Sequence, residues 1–147
     1  MQLTAHTDYA FRTLIALAAV APEKLTAAEI SNSYQISQAH LQKVVQKLAE
    51  LGFVTTSRGR TGGIRLAVEP KALRLGAIVR GLEPELGLVA CLRSGDTPCA
   101  ITPACGLKSI LRDAMAQFLS VLDEHTLADA IASKGRVAQL LQLHARG

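Results

Sequence analysis

Residues 37–65 read SQAHLQKVVQKLAELGFVTTSRGRTGGIR, and this stretch decides the fold. Ser37 has the side chain of a helix N-cap, and Leu41, Val44, Val45, Leu48 and Leu51 recur behind it at helical spacing, with Gly52 placed to stop the helix. The other face carries Gln38, His40, Gln42, Lys43, Gln46 and Lys47. Two runs of strand character follow, Phe53 to Thr56 and Ile64 to Val68. Between them lies Ser57-Arg58-Gly59-Arg60-Thr61-Gly62-Gly63, whose three glycines permit a flexible basic hairpin tip.

Upstream, Thr26 and Glu29 stand at capping-box spacing and open a short helix, with Ala28 and Ile30 inward, which breaks at Asn32-Ser33-Tyr34. A first helix is expected to be capped by Thr7, with Asp8 in its opening turn, an apolar stripe of Tyr9, Phe11, Leu14, Ile15, Leu17 and Ala18, and Pro22 as its end. Three helices, the last two joined by a tight turn, followed by a basic hairpin, predict a winged helix-turn-helix over residues 1–85 whose third helix enters the DNA major groove. Gln38, His40 and Gln42 are then candidates for hydrogen bonds to base edges. Lys43, Lys47, Arg58, Arg60 and Arg65 are candidates to neutralise phosphates, the wing arginines also to probe the minor groove. An ordinary solvated helix face beside a mobile loop is the alternative. Residues 1 to 80 hold ten Lys/Arg against five Asp/Glu and the remainder six against seven, about +5 against −1, so the excess positive charge lies in the module that would meet double-stranded DNA.

Downstream, Leu73, Ile78, Val79 and Leu82 suggest a fourth helix ending near Glu83-Pro84. Gly87 to Ile101, with Gly95, Asp96 and Pro98, has no period and reads as a loop long enough to need a functional reason. Thr102-Pro103 predicts the start of the longest helix, running to about Asp123, and Leu107, Ile110, Leu111, Ala114, Phe118, Val121 and Leu122 form a seam suited to a second copy of the chain. A short helix around Leu127 to Ala132 and a tail ending at Gly147 complete a mainly α fold with a long C-terminal dimerisation helix. The expected divisions are 1–85 (winged head), 86–106 (loop) and 102–147 (dimerisation helix and tail).

Composition narrows the function. Of 147 residues only 3% are aromatic and none is Trp, so a Leu/Ala/Val core is expected and an all-β fold is not. The longest apolar run, Leu14 to Ala21, is far short of the ~20 residues that cross a bilayer, and no membrane partner is expected. Its end, Ala19-Val20-Ala21, imitates a signal-peptide cleavage site, but Asp8 cancels Arg12 ahead of it and the same residues read as a buried helix. A cytoplasmic protein is therefore expected, and its odd count of three cysteines suits metal or redox chemistry better than disulfides. No Ser-His-Asp order, phosphate loop or paired carboxylates point to an enzyme.

Cys91, Cys99 and Cys105 follow a C-x7-C-x5-C spacing that lacks the C-x2-C steps of structural zinc sites. Loop-borne thiolates at wide spacing, with one non-cysteine ligand, suit an iron–sulfur cluster, and three buried small hydrophobes are the alternative. Cys105 is expected in the first turn of the long helix, where the dipole and free N–H groups favour a metal-binding thiolate. One turn later stands Lys108, a poor ligand. Asp8 is a candidate, with Arg12 one turn on able to orient its carboxylate by hydrogen bonding, although on the residues alone plain dipole capping outweighs ligation. His6, His40, His125 and His144 read as surface or packing residues with respect to a metal.

Five segments together carry a resemblance that covers nearly the whole chain: Met1-Gln2-Leu3-Thr4, Thr7-Asp8-Tyr9, Arg58-Gly59-Arg60-Thr61-Gly62-Gly63-Ile64-Arg65-Leu66, Leu82-Glu83-Pro84 and Cys99-Ala100-Ile101-Thr102-Pro103-Ala104-Cys105. The chain resembles the nitric-oxide-sensing members of the iron–sulfur winged-helix regulator family. The resemblance implies a homodimeric bacterial repressor whose long helices pair, with each cluster held by three cysteines and a ligand from the other subunit's first helix. It makes Asp8 the leading fourth ligand and nitric oxide the leading signal. Family members that regulate cluster assembly carry a histidine where this chain has Lys108, which argues against their ligand set. The first cysteine interval varies in the family, so Cys91 is the least secure ligand. A [4Fe–4S] cluster is expected, with [2Fe–2S] as the alternative. The same architecture could sense redox state or iron supply, and a zinc-stabilised DNA-binding protein is a further reading.

Overall fold

In the computed structural model, which describes residues 2–93 and 99–143, the core forms around one helix whose C-terminal end is apolar on every side. This is α1 (Ala5–Val20), in which Ala16 to Val20 are all buried, a pattern found only where neighbours surround a helix. Leu14 and Ala16 to Val20 are thus buried, with Ile15 half-buried, as the helical reading of the signal-like stretch requires. Around it lie α2 (Ala27–Tyr34), α3 (Gln38–Glu50), β1 (Val54–Ser57), β2 (Gly63–Leu66), α4 (Leu75–Leu82), α5 (Gly106–Glu124) and α6 (Lys134–Leu140), with single 3-10 turns at Ala90–Leu92 and Thr102–Ala104. Met1, Gly95, Asp96, Pro98, His144 and Gly147, named above, lie outside the described residues. No helix among the described residues is long and apolar enough to cross a membrane.

The start of α1 corrects the sequence reading. Thr4, extended at φ −65° and ψ 154°, is the N-cap, and its hydroxyl accepts the Thr7 N–H at 3.3 Å. Thr7 is fully buried and donates its hydroxyl to Glu83 Oε1 at 2.6 Å. The same oxygen accepts the Thr4 N–H at 2.8 Å and the Thr4 hydroxyl at 2.9 Å. Glu83 follows the last residue of α4, so one buried carboxylate ties the end of that helix to the start of α1. Burial pushes its carboxyl up, but the three hydrogen bonds, with His6 nearby, prevail and hold it below the ordinary value.

The helix-turn-helix follows the sequence closely. Thr26 and Glu29 form a full capping box, Gln35 turns the chain with φ 53°, and Ser37 caps α3 by accepting the His40 N–H at 3.3 Å. Leu41, Val44, Val45 and Leu48 are buried, while Gln38, His40, Gln42, Lys43 and Gln46 are exposed. The strands pair antiparallel with Val54 opposite Leu66 and Ser57 opposite Gly63, and Leu25 bonds Ile64 in both directions at 3.0 and 2.7 Å.

The C-terminal third differs from expectation in two places. Thr102-Pro103 opens a 3-10 turn, and the chain straightens at Cys105 (φ −83°, ψ 102°), which is the N-cap of α5 rather than part of its first turn. Leu127 to Ala130 form a turn held by Thr126 and Asp129, and the final helix is α6, capped by Ser133. It packs on α1 through Val137, Ala138 and Leu141, with Leu143 buried beyond it. Ser33 of α2 donates its hydroxyl to Leu141 O at 2.8 Å.

Because the Glu83 carboxyl is held low in the folded state, its contribution is full above the ordinary carboxylate range and is lost as pH falls through the folded-state value. Glu83→Gln is expected to cost about 1–3 kcal/mol at pH 7 and to reduce the loss of stability on acidification, measured by urea unfolding between neutral and acid pH.

Candidate functional site

Two features form the candidate site: the outer face of α3 with its wing, and the cysteine segment between α4 and α5. Gln42 and Gln46 of α3 line a groove with Arg58 and Gly59 of the wing. Lys43 and Arg60 are exposed, as is Arg65, whose Nε–H bonds the Thr55 hydroxyl at 3.2 Å across the hairpin. Lys47 lies 3.7 Å from Glu50 and is partly compensated by it.

The wing tip is a closed turn, tighter than three glycines alone would suggest. Gly59 has φ 94°, and its carbonyl accepts the Gly62 N–H at 2.9 Å. A Cβ on Gly62 would lie 2.5 Å from Ser57 O, and one on Gly63 would press on Leu25 O and Lys24 Cβ at 3.1 Å. Lys24 donates its ammonium to Thr61 O at 2.8 Å and so braces the tip from outside the hairpin. Sequence reasoning missed Lys24, whose partner is 37 residues away.

At the exposed end of α1, Asp8 and Arg12 form a two-point ion pair, Nη2–Oδ2 at 2.9 Å and Nε–H to Oδ1 at 3.2 Å. The hydrogen bond to Asp8 holds the guanidinium above its ordinary pKa, and Arg12 also lies 5.8 Å from the Tyr34 ring centroid. Burial raises the Tyr34 hydroxyl in turn, against the pull of Arg12. Next to Asp8, the Tyr9 ring is 6.3 Å from that of His40 on α3. The carboxylate that the sequence singled out thus sits one turn from residues touching both helices of the reading head.

Cys91 lies in the 3-10 turn Ala90–Leu92, Cys99 is exposed with its carbonyl accepting the Thr102 N–H at 3.0 Å, and Cys105 caps α5 without a side-chain hydrogen bond. All three are free thiols, and none is buried, contrary to a role as small core hydrophobes. Among the described residues, no three His, Cys, Asp or Glu side chains converge closely enough to hold a metal ion.

The wing geometry makes a direct prediction. Gly62→Ala is expected to weaken binding to duplex DNA by about tenfold, read by fluorescence anisotropy, with helical circular dichroism unchanged.

Comparison with known proteins agrees with the fold and the motifs. A profile of the Rrf2 family, described as iron-dependent transcriptional regulators, matches residues 3–133. The HTH-type transcriptional regulator NsrR of Bacillus subtilis is 42% identical over 144 residues, covering 97% of this chain and 99% of the relative. That of Geobacillus kaustophilus is 43% identical over 143 residues, covering 97% of each. Among solved structures, CymR, the global cysteine regulator of B. subtilis, superposes with a TM-score of 0.71 at 25% identity, covering 88% of this chain and 95% of CymR. IscR of T. potens shares the fold with a TM-score of 0.69 at 24% identity, covering all of this chain and 94% of IscR. A winged head of this architecture, in a chain matched over nearly its whole length by transcriptional regulators, places the protein in the Rrf2 family of transcriptional regulators.

Proposed function

We propose that the protein is an iron–sulfur-dependent repressor that binds palindromic double-stranded DNA as a cytoplasmic homodimer and is released by nitric oxide. The observation that carries this reading is the position of three free thiols on the segment that links the winged head to α5. The NsrR name of the relatives supports it. So does an exposed seam on α5, where Leu107 (59% exposed), Ile110 (63%) and Val121 (54%) align with Ala114 at steps of three, four and seven residues. Leu111, Phe118 and Leu122, grouped with them in the sequence reading, are half-buried.

The donor set fits such a cluster, since soft thiolates suit it, Cys99 is accessible, and no side chain already caps the helix that Cys105 begins. Cys91, Cys99 and Cys105 would hold it together with Asp8 of the partner subunit. When bound, the cluster, taken as [4Fe–4S] with [2Fe–2S] as the alternative, supplies the iron that nitric oxide attacks. Arg12 orients the Asp8 carboxylate. Gln38, His40 and Gln42 meet base edges, and Lys43, Lys47, Arg58, Arg60 and Arg65 meet phosphates. Residues 1–85 form the reading head, 86–106 the sensing segment, and α5 the dimer helix, while α6 belongs physically to the head because it packs on α1. Ligation by both subunits would tie the segment to the partner's α1, and palindrome binding would need the two α3 helices about one DNA turn, ~34 Å, apart. A reversal from 1:99 to 99:1 occupancy requires ~5.5 kcal/mol of differential affinity, within reach of several phosphate contacts.

Anaerobic purification with visible absorption, iron and sulfide analysis, then nitric-oxide titration of the DNA complex, tests the reading. A brown protein that bleaches in proportion to added nitric oxide and then leaves the duplex is expected. A colourless protein carrying zinc overturns the sensing role, and bleaching that responds to oxygen or iron chelation but not to nitric oxide reassigns the signal. Cys99→Ala and Cys105→Ala are expected to lose the cluster and the regulated binding while keeping the helical fold, and a variant that still represses and responds contradicts the ligand set. For the wing, Arg60→Ala is expected to reduce the slope of log affinity against log salt by about one, and an unchanged slope removes Arg60 from the interface.

A further inference from the structure

Two separate attachments join the winged head to α5. The first is made at the helix ends: Leu75 donates its N–H to His125 O at 3.0 Å, Leu127 donates to Leu73 O at 2.8 Å, and Arg74 Nη1 donates to Glu124 O at 3.2 Å. The second lies five residues further along α4, where Arg80 places its two Nη atoms on the two carboxylate oxygens of Asp123, each at 2.6 Å. Gly76 leaves room for this pair, since a Cβ there would collide with Asp123 Oδ1 and lie 2.9 Å from Arg80 Nη1. The pair lies beside the first attachment, over Gly76, so that the end of α5, already packed on α4, is held from two successive turns of that helix.

We propose that the Arg80–Asp123 pair positions the reading heads: it sets the angle between the winged head and α5, and with it the separation of the two α3 helices in the dimer. This rests on the dimeric DNA-binding reading above. Both partners are more than two-fifths exposed, and exposed ion pairs add little to global stability. A planar guanidinium bonded at two points nevertheless defines a direction, which a single ammonium does not. Small angular errors at α4 grow along the length of the head before they reach α3. A palindrome requires both heads at one spacing, whereas a half-site requires only one head.

The test uses the full chain, a palindrome that the wild-type protein selects from a random duplex library, and the half-site duplex cut from it. Arg80→Gln is expected to weaken palindrome binding by about tenfold and to leave half-site binding within about twofold. Gly76→Ala keeps both charges and favours the helix, yet displaces the pair, and is expected to act in the same way. Arg80→Lys, which restores charge without the two-point bond, is expected to recover only part of the loss. Inserting one base pair at the palindrome centre is expected to penalise the wild type more than either disruptive variant, an effect that general destabilisation does not produce. Equal loss on both duplexes, or no loss, overturns the proposal. A wild-type protein with no preference for the palindrome overturns the dimeric reading itself, and does so before any substitution is made.

Discussion

The buried carboxylate of Glu83 is the constraint on which the arrangement of the head depends. One of its oxygens collects three donors from the first turn of α1, so two segments nearly eighty residues apart meet at a point rather than along a face. A buried charge must be satisfied or it destabilises, and here the donors are one backbone N–H and two threonine hydroxyls of the helix start. The contact fixes where α1 begins, and hence how Asp8, in the next positions of that turn, is presented at the surface. It also fixes where α4 ends and the cysteine-bearing segment departs.

From that point α1 connects the two halves of the site. Its buried half is the core of the winged head, and its exposed half carries Asp8, Arg12 and Tyr9, next to Tyr34 at the end of α2 and His40 at the start of α3. The wing is held by different means, close backbone approach at Gly62 and Gly63 and the ammonium of Lys24 on Thr61 O. The candidate ligand Asp8 and the contacts to α2 and α3 therefore share a single helix.

Where the signals are local, the sequence was readable. The capping box at Thr26, the Ser37 cap and the apolar spacing of α3 each involve residues within one or two turns, and each appears in the structure as expected. The Thr7 cap failed because the partner that places Thr7 inside the helix is Glu83, invisible at short range. Pro103 suits the start of a 3-10 turn as well as that of an α-helix, which moved Cys105 to the cap. Helix α6 was missed because its burial is decided by α1 rather than by its own pattern, and the turn at Leu127 copied helical spacing with a Thr126–Asp129 cap that no helix followed. At the candidate site, residue types and spacing pointed to the thiols, but whether they converge is decided by long-range packing that no local pattern specifies, and among the described residues they do not.

The packing of α6 on α1 has a consequence for synthesis. A chain leaving the ribosome presents α1 first, and its apolar surface stays partly uncovered until Val137 to Leu143 emerge. By then the cysteine segment and α5 have already been translated. The core of the winged head is therefore completed only after the cysteine segment and α5 have been made.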